Sequence, residues 1–86
     1  MDPYSIILRP NVTERSMKLV ETENKLIFTV SITSTKGQIK AAVEGLYDVE
    51  VKSVNTLISP KGIKKAYVEL GDKNKADEVA TRIGIF

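Results

Sequence analysis

Three lysines lie close together in the second half of the chain, where a turn joins two predicted strands. Lysine side chains on a protruding turn can each contact a phosphate of a nucleic acid. Tyr67 follows on the outward face of the returning strand, where a base or a sugar could stack on its ring. Lysines at a sheet rim also prevent aggregation, so the pattern indicates either an RNA-binding surface or a protected edge. The candidate RNA contacts of this hairpin are Asn55, Thr56, Lys61, Lys64, Lys65 and Tyr67.

Two further lysines, Lys36 and Lys40, lie on the most strongly predicted helix. Lys36 is near the N-terminus of this helix, where the helix dipole disfavours a cation and free backbone N–H groups can bind a phosphate. A cation placed against the dipole suggests an anionic partner, so both lysines are candidate RNA ligands. The alternative is a solvated helix face on which Lys40 pairs with Glu44.

A third group of polar and basic side chains crowds the segment 9–16, which leads into a predicted helix. Loops held by a rigid scaffold often carry binding contacts, so Arg9 and Arg15 join the candidate RNA-binding residues. Glu14 lies in the first turn of the helix. An acid there is favoured by the helix dipole whatever the function of the protein.

The composition argues against an enzyme. The 86 residues contain neither cysteine nor histidine, which excludes disulfides and thiolate metal sites and removes the commonest general base. No carboxylate falls on a predicted apolar face, and there is no glycine-rich phosphate loop. We therefore expect no catalytic residue, no cofactor, no metal and no small-molecule substrate.

The net charge is weak and the hydropathy is that of a globular domain. The excess of +2 comes from 13 basic and 11 acidic side chains, so affinity for a nucleic acid must come from local clusters. The first residues do not resemble a signal peptide, and no apolar run approaches the roughly 20 residues that cross a bilayer. We expect one soluble, cytoplasmic domain over residues 1–86 without membrane insertion.

Hydrophobic periodicity indicates six elements. Predicted helices cover about 13–22, 35–47 and 72–83, and predicted strands cover 25–32, 49–58 and 63–70. The segment 4–10 is predicted to be an extended lead-in. Val51 and Val54 fall in opposite phases of one strand, which predicts a bulge near Lys52 and Ser53.

Capping residues set the predicted helix ends. Thr35 and Gln38 match a capping box, Asp72 is the predicted cap of the last helix, and Ile85 and Phe86 are expected to fold back on the core. The order of elements predicts an α+β fold. Its form is a small mixed sheet with helices packed on one face and the other face open, of the split βαβ, ferredoxin-like type.

Four stretches of the chain resemble, in order, the universal large-subunit ribosomal protein twenty-three family in its archaeal form. The hairpin turn is short, whereas bacterial relatives carry a long extension there, and this favours the archaeal form. The four stretches together span nearly the whole chain. They are residues 8–16 (LRPNVTERS), 24–30 (NKLIFTV), 35–44 (TKGQIKAAVE) and 49–70, the last with VNTL and KKAYV.

The resemblance implies a structural constituent of the large ribosomal subunit. Such a protein binds large-subunit (23S-type) rRNA beside the polypeptide exit tunnel and contacts a neighbouring large-subunit protein, the twenty-ninth. The family also offers a docking surface for factors that meet nascent chains, including the signal recognition particle. The acid of its V-T-E-[KR] motif, which lies on that surface, maps to Glu14 here.

Two alternatives remain open from the residues themselves. A free-standing single-strand RNA-binding domain of the recognition-motif type would need outward aromatic rings on two adjacent strands, and Tyr67 is the one such ring that the pattern predicts. A protein-interaction adaptor without RNA affinity would expose an apolar patch on the open sheet face. The residues expected in that patch are Ile27, Val54 and Tyr67.

Overall fold

Eight elements follow one another in the computed structural model, which describes residues 2–85. No helix within those residues has both the length and the apolar character needed to span a bilayer. The elements are α1 (Pro3–Ile6), β1 (Ile7–Pro10), α2 (Glu14–Glu23), β2 (Lys25–Val30), α3 (Lys36–Tyr47), β3 (Val51–Ile58), β4 (Lys64–Leu70) and α4 (Ala76–Arg82).

The four strands form one sheet in the order β1-β2-β4-β3. Every neighbouring pair is antiparallel. β2 and β3, which α3 connects, run in the same direction, and β4 lies between them. This is the split βαβ arrangement, so the predicted α+β class is confirmed. The sheet is antiparallel throughout rather than mixed in its pairing, because β4 separates the two strands that run in parallel.

One face of the sheet carries the core. The alternating side chains of β2 and β4 that point to this face are almost completely buried because α3 and α4 pack over them. Phe28 lies in this core, and its ring stacks on Tyr47 with the ring centroids 5.7 Å apart. The core-facing residues of these two strands are Leu26, Phe28, Val30, Ala66, Val68 and Leu70.

Local signals set several boundaries as predicted. The Thr35 side chain accepts the N–H of Gln38 at 3.2 Å, and the Gln38 side chain accepts the N–H of Thr35 at 3.0 Å, which confirms the capping box. The register of β3 against β4 shifts between Val51 and Ser53, which confirms the bulge. Gly62 adopts a φ of 80° in the hairpin turn, a conformation that glycine tolerates without strain.

The predicted extended lead-in is wrong for its first half. Residues Pro3–Ile6 form the short helix α1, capped by Asp2, whose carboxylate accepts the N–H of Tyr4 at 3.0 Å. Only Ile7–Pro10 is extended, and it pairs with β2 as the strand β1. Elements of four residues are too short for a hydrophobic period to develop, so the pattern could not separate them.

The start of α4 and the end of β2 also differ from the predictions. The helix α4 begins at Ala76 with Lys75 at the cap position, so Asp72 does not cap it. Instead the Asn24 side chain accepts the N–H of Ala76 at 2.6 Å from across the fold. β2 ends at Val30, which leaves Ile32 half exposed. Ile85 packs against the core as predicted, and Phe86 lies outside the described residues.

Candidate nucleic-acid interface

The face of the sheet opposite the core brings four predicted residues together. Residues that oppose each other in neighbouring strands point to the same side of a sheet. Tyr67 is opposite Ile27 in β2 and opposite Asn55 in β3. One row nearer the hairpin, Thr29 of β2 is opposite Arg9 of β1 and Lys65 of β4. The predicted residues that share this face are Arg9, Asn55, Lys65 and Tyr67.

Charge on this face is unbalanced along the strands. At the end away from the hairpin, Glu69 Oε2 lies 3.7 Å from Lys52 Nζ, and the Glu69 carboxylate also accepts the Ser53 hydroxyl at 3.2 Å. Toward the hairpin, neither Arg9 nor Lys65 makes an ion pair with any residue in 2–85. The face is therefore self-neutralised at one end and cationic at the other.

A small cleft lies where α2 meets the open face. Its volume is about 110 Å³, and Arg15 from α2 and Lys65 and Tyr67 from β4 are among its lining residues. The sheet supplies Ile27 to the same cleft. The structure thus adds Arg15 to the group on the open face, although 50 residues separate it from Lys65 in the chain.

Ser16 holds the loop before α2 in place. Its hydroxyl is buried, donates to the carbonyl of Asn11 at 2.8 Å and accepts the N–H of Thr13 at 2.8 Å. The Thr13 side chain in turn accepts the N–H of Ser16 at 3.0 Å, which completes a capping box. This network presents Glu14 and Arg15, both exposed, on the first turn of α2.

Other predicted residues do not join this face. Lys64 points to the opposite side of β4 from Lys65, and its Nζ donates to the carbonyl of Ser34 at 2.6 Å. Thr56 is half-buried opposite the core residue Ala66, and Lys61 is exposed at the hairpin tip.

The two lysines of α3 lie on the helical layer that covers the other side of the sheet. Lys36 and Lys40 are both exposed. The alternative pairing of Lys40 with Glu44 does not form among residues 2–85, and Glu44 Oε2 accepts the backbone N–H of Val51 at 3.0 Å. These lysines are therefore accessible, but they do not share a surface with Tyr67.

Sequence patterns missed Asn11 and Ile27 as parts of the cleft. The adaptor alternative predicted an exposed apolar patch of Ile27, Val54 and Tyr67, but Ile27 is only 5% exposed, and Val54 packs on the core side. That predicted patch is wrong, because α2 and its loop cover β2 at this point. The T-x-x-S capping pattern at Thr13 could have indicated the fixed loop.

The open face carries one aromatic ring within residues 2–85, that of Tyr67. Phe28 and Tyr47 stack in the core, and Tyr4 is exposed on α1. The second outward ring that a recognition-motif domain would need is therefore missing from the described part of the sheet.

Known proteins of one family are similar to this chain over its whole length. The sequence model of the family described as Ribosomal protein L23 matches residues 5–78. Three proteins named Large ribosomal subunit protein uL23 align over all 86 residues and over their own full length. They are 51% identical in Methanococcus aeolicus, 48% in Methanococcus maripaludis and 43% in Methanothermobacter thermautotrophicus. The resemblance and its archaeal form are confirmed, and the chain belongs to the ribosomal protein L23 family of the large ribosomal subunit.

Proposed function

We propose that this ribosomal protein binds the large-subunit rRNA beside the polypeptide exit tunnel, and that the open face of its sheet is the principal RNA contact. The observation that carries this proposal is a group of three cations that make no ion pair with any residue in 2–85. Arg15 and Lys65 line the cleft together with Tyr67, and Arg9 lies in the same row of the sheet as Lys65. Folded RNA is recognised largely by its shape and through phosphate and ribose contacts. A local cationic face suits such contacts although the net charge is only +2.

A second RNA contact is proposed on the other side of the molecule. Lys36 and Lys40 project from α3 into solvent, and Lys61 is exposed at the hairpin tip. A protein embedded in a ribosomal subunit can meet different RNA segments on different sides. These lysines therefore supply a secondary, weaker set of phosphate contacts.

The experiment is binding of the purified protein to a transcript of large-subunit rRNA across a salt series. The double variant Arg15→Glu/Lys65→Glu is compared with Lys73→Glu/Lys75→Glu, which makes the same charge change at exposed positions before α4. Each phosphate contact contributes roughly 0.7 to 0.9 to the slope of log K against log salt. We expect the first variant to lower the slope by about 1.5 and the second to leave it unchanged.

Other outcomes have definite meanings. An equal loss in both double variants would contradict a role for the open face. A larger loss in Lys36→Glu/Lys40→Glu would place the principal contact on α3. Binding no tighter than to an unrelated RNA of equal length would contradict specific rRNA binding altogether.

We also propose that Glu14 belongs to a docking surface for nascent-chain factors such as the signal recognition particle, and that the twenty-ninth large-subunit protein is a neighbour. Glu14 supports this role because it is exposed on the first turn of a helix whose loop is held by Ser16. Ribosomes carrying Glu14→Ala should bind the particle more weakly, whereas Glu21→Ala, an exposed acid later in α2, serves as the matched control. Equal binding by both would contradict the docking role.

A further inference from the structure

We propose that the cleft between α2 and β4 receives a single unstacked nucleotide of the bound RNA, an inference that rests on the proposed rRNA binding. The base would lie against Tyr67, and its phosphate would lie between Arg15 and Lys65. The cleft brings together three kinds of group that can each contact a nucleotide: an aromatic ring, a carboxamide and two cations.

Polar and apolar groups both line the cleft, and the polar groups make up the larger part of its surface. Ile27 of β2 and Leu19 of α2 both line it, and Ile27 is 5% exposed. The ring of Tyr67 adds an aromatic wall, and its hydroxyl makes no hydrogen bond within residues 2–85. Base-on-aromatic stacking tolerates any base, because every base has a π-face.

Asn11 supplies a group that can recognise a base edge. Its backbone is held at both ends, because its N–H donates to the carbonyl of Ile27 at 2.9 Å and its own carbonyl accepts the Ser16 hydroxyl at 2.8 Å. Its carboxamide has no hydrogen-bond partner among residues 2–85. A carboxamide offers both a donor and an acceptor, so a fixed backbone carries an amide without a partner in residues 2–85 in the lining of the cleft.

The size of the cleft limits what it can hold. A volume of about 110 Å³ is well below the roughly 300 Å³ of the smallest pockets for drug-sized ligands. The cleft therefore accommodates one base rather than two stacked ones. An acidic side chain of a protein would satisfy the two cations but would leave the ring of Tyr67 without a flat partner, so a nucleotide fits better.

The test is NMR titration of the isotope-labelled full chain with the four nucleoside 5′-monophosphates. Ribose 5-phosphate and a short glutamate-rich peptide are titrated as probes that lack a base. We expect at least one nucleotide to bind with a Kd of about 1 to 10 mM. It should shift the Ile27 methyl and Asn11 carboxamide signals, and ribose 5-phosphate should bind about tenfold or more weakly.

Variants at tyrosine test the stacking. Tyr67→Ala should weaken nucleotide binding about tenfold, as expected for loss of one stacked base. Tyr67→Phe keeps the ring and should retain the affinity. It controls for loss of binding that comes from misfolding at this position. Tyr4→Ala removes an exposed ring on α1, away from the cleft, and should have no effect.

Three results would overturn the proposal. Equal affinity for ribose 5-phosphate would reduce the cleft to a phosphate site. Stronger binding of the acidic peptide would make it a protein contact. Absence of any nucleotide-induced shift at about 20 mM would exclude a base there. If the rRNA transcript still binds in that last case, rRNA binding stands and only the nucleotide cleft fails; if the transcript does not bind either, both proposals fail.

Discussion

Lys64 and Lys65 are adjacent in the chain and point to opposite faces of β4. Lys64 Nζ donates to the carbonyl of Ser34 at 2.6 Å and so ties the hairpin strand to the loop before α3. Lys65 lies beside Tyr67 in the cleft and has no ion pair with any residue the structure describes. One lysine therefore has a partner within the fold, and the other is free for a ligand.

Removing each lysine should accordingly affect a different property. Lys64→Met should lower the free energy of unfolding by about 1 kcal/mol through loss of its hydrogen bond and should leave the salt dependence of RNA binding unchanged. Lys65→Met should change stability by less than about 0.5 kcal/mol but reduce the salt slope by about 0.8. Urea unfolding and salt-series binding measure the two effects, and an equal drop in slope for both variants would contradict the assignment.

Ser16→Ala should weaken both the helix and the RNA contact. The buried hydroxyl accepts the N–H of Thr13 and donates to the carbonyl of Asn11, so its loss leaves the loop before α2 without its inner support. We expect a loss of about 1 to 2 kcal/mol in urea unfolding, together with weaker binding to the rRNA transcript. Ser5→Ala, at an exposed position of α1, is the control. Unchanged RNA affinity in Ser16→Ala would show that loop order does not matter for binding.

Asn24 joins three segments, so replacing it should lower the free energy of unfolding more than replacing any other polar residue of the fold. Its backbone is left-handed, with a φ of 55°. Its side-chain amide donates to the carbonyls of Leu70 and Asn74, and its side-chain oxygen accepts the N–H of Ala76. Asn24→Gly keeps the left-handed conformation but loses these bonds, for a cost of about 2 to 3 kcal/mol. Asn24→Ala should cost about 1 kcal/mol more because of its Cβ. Equal urea midpoints for the two variants would show that the conformation carries no cost.

Tyr47 should make the fold sensitive to alkaline pH. Burial raises the pKa of the Tyr47 hydroxyl above its ordinary value of 10.0, and the charge of neighbouring Tyr4 adds to the shift. The folded state therefore holds this proton at pH values where the unfolded chain has released it. This stabilisation is fully present below the ordinary pKa and is lost as the pH rises through the raised one.

The variant Tyr47→Phe cannot ionise, so its stability should fall less steeply above about pH 10. Urea midpoints of both proteins between about pH 8 and pH 11 measure the difference, because the two proteins differ in this one hydroxyl. Parallel curves would show that the ionisation of Tyr47 is not linked to folding.

The elements governed by local interactions could be predicted from the residues alone. The capping box of Thr35 and Gln38 acts within one helical turn. The change of alternation phase between Val51 and Val54 can be seen within the sequence of one strand. Alternation in β4 also predicted that Tyr67 faces away from the core. The α+β class and the family follow from these patterns and from the quoted stretches.

What the tertiary structure decided depends on residues far apart in the chain. Asn24 caps α4 from 52 residues away, so the residues next to the helix, among them Asp72, could not reveal the cap. Ile27 lies on the face opposite the core, as strand alternation predicted, but it is buried because α2 folds over it. The cleft unites Asn11 with Lys65 and Tyr67. Capping and periodicity act over a few residues. The position of α2 against the sheet depends on packing of the whole chain, and a local sequence pattern cannot predict that packing.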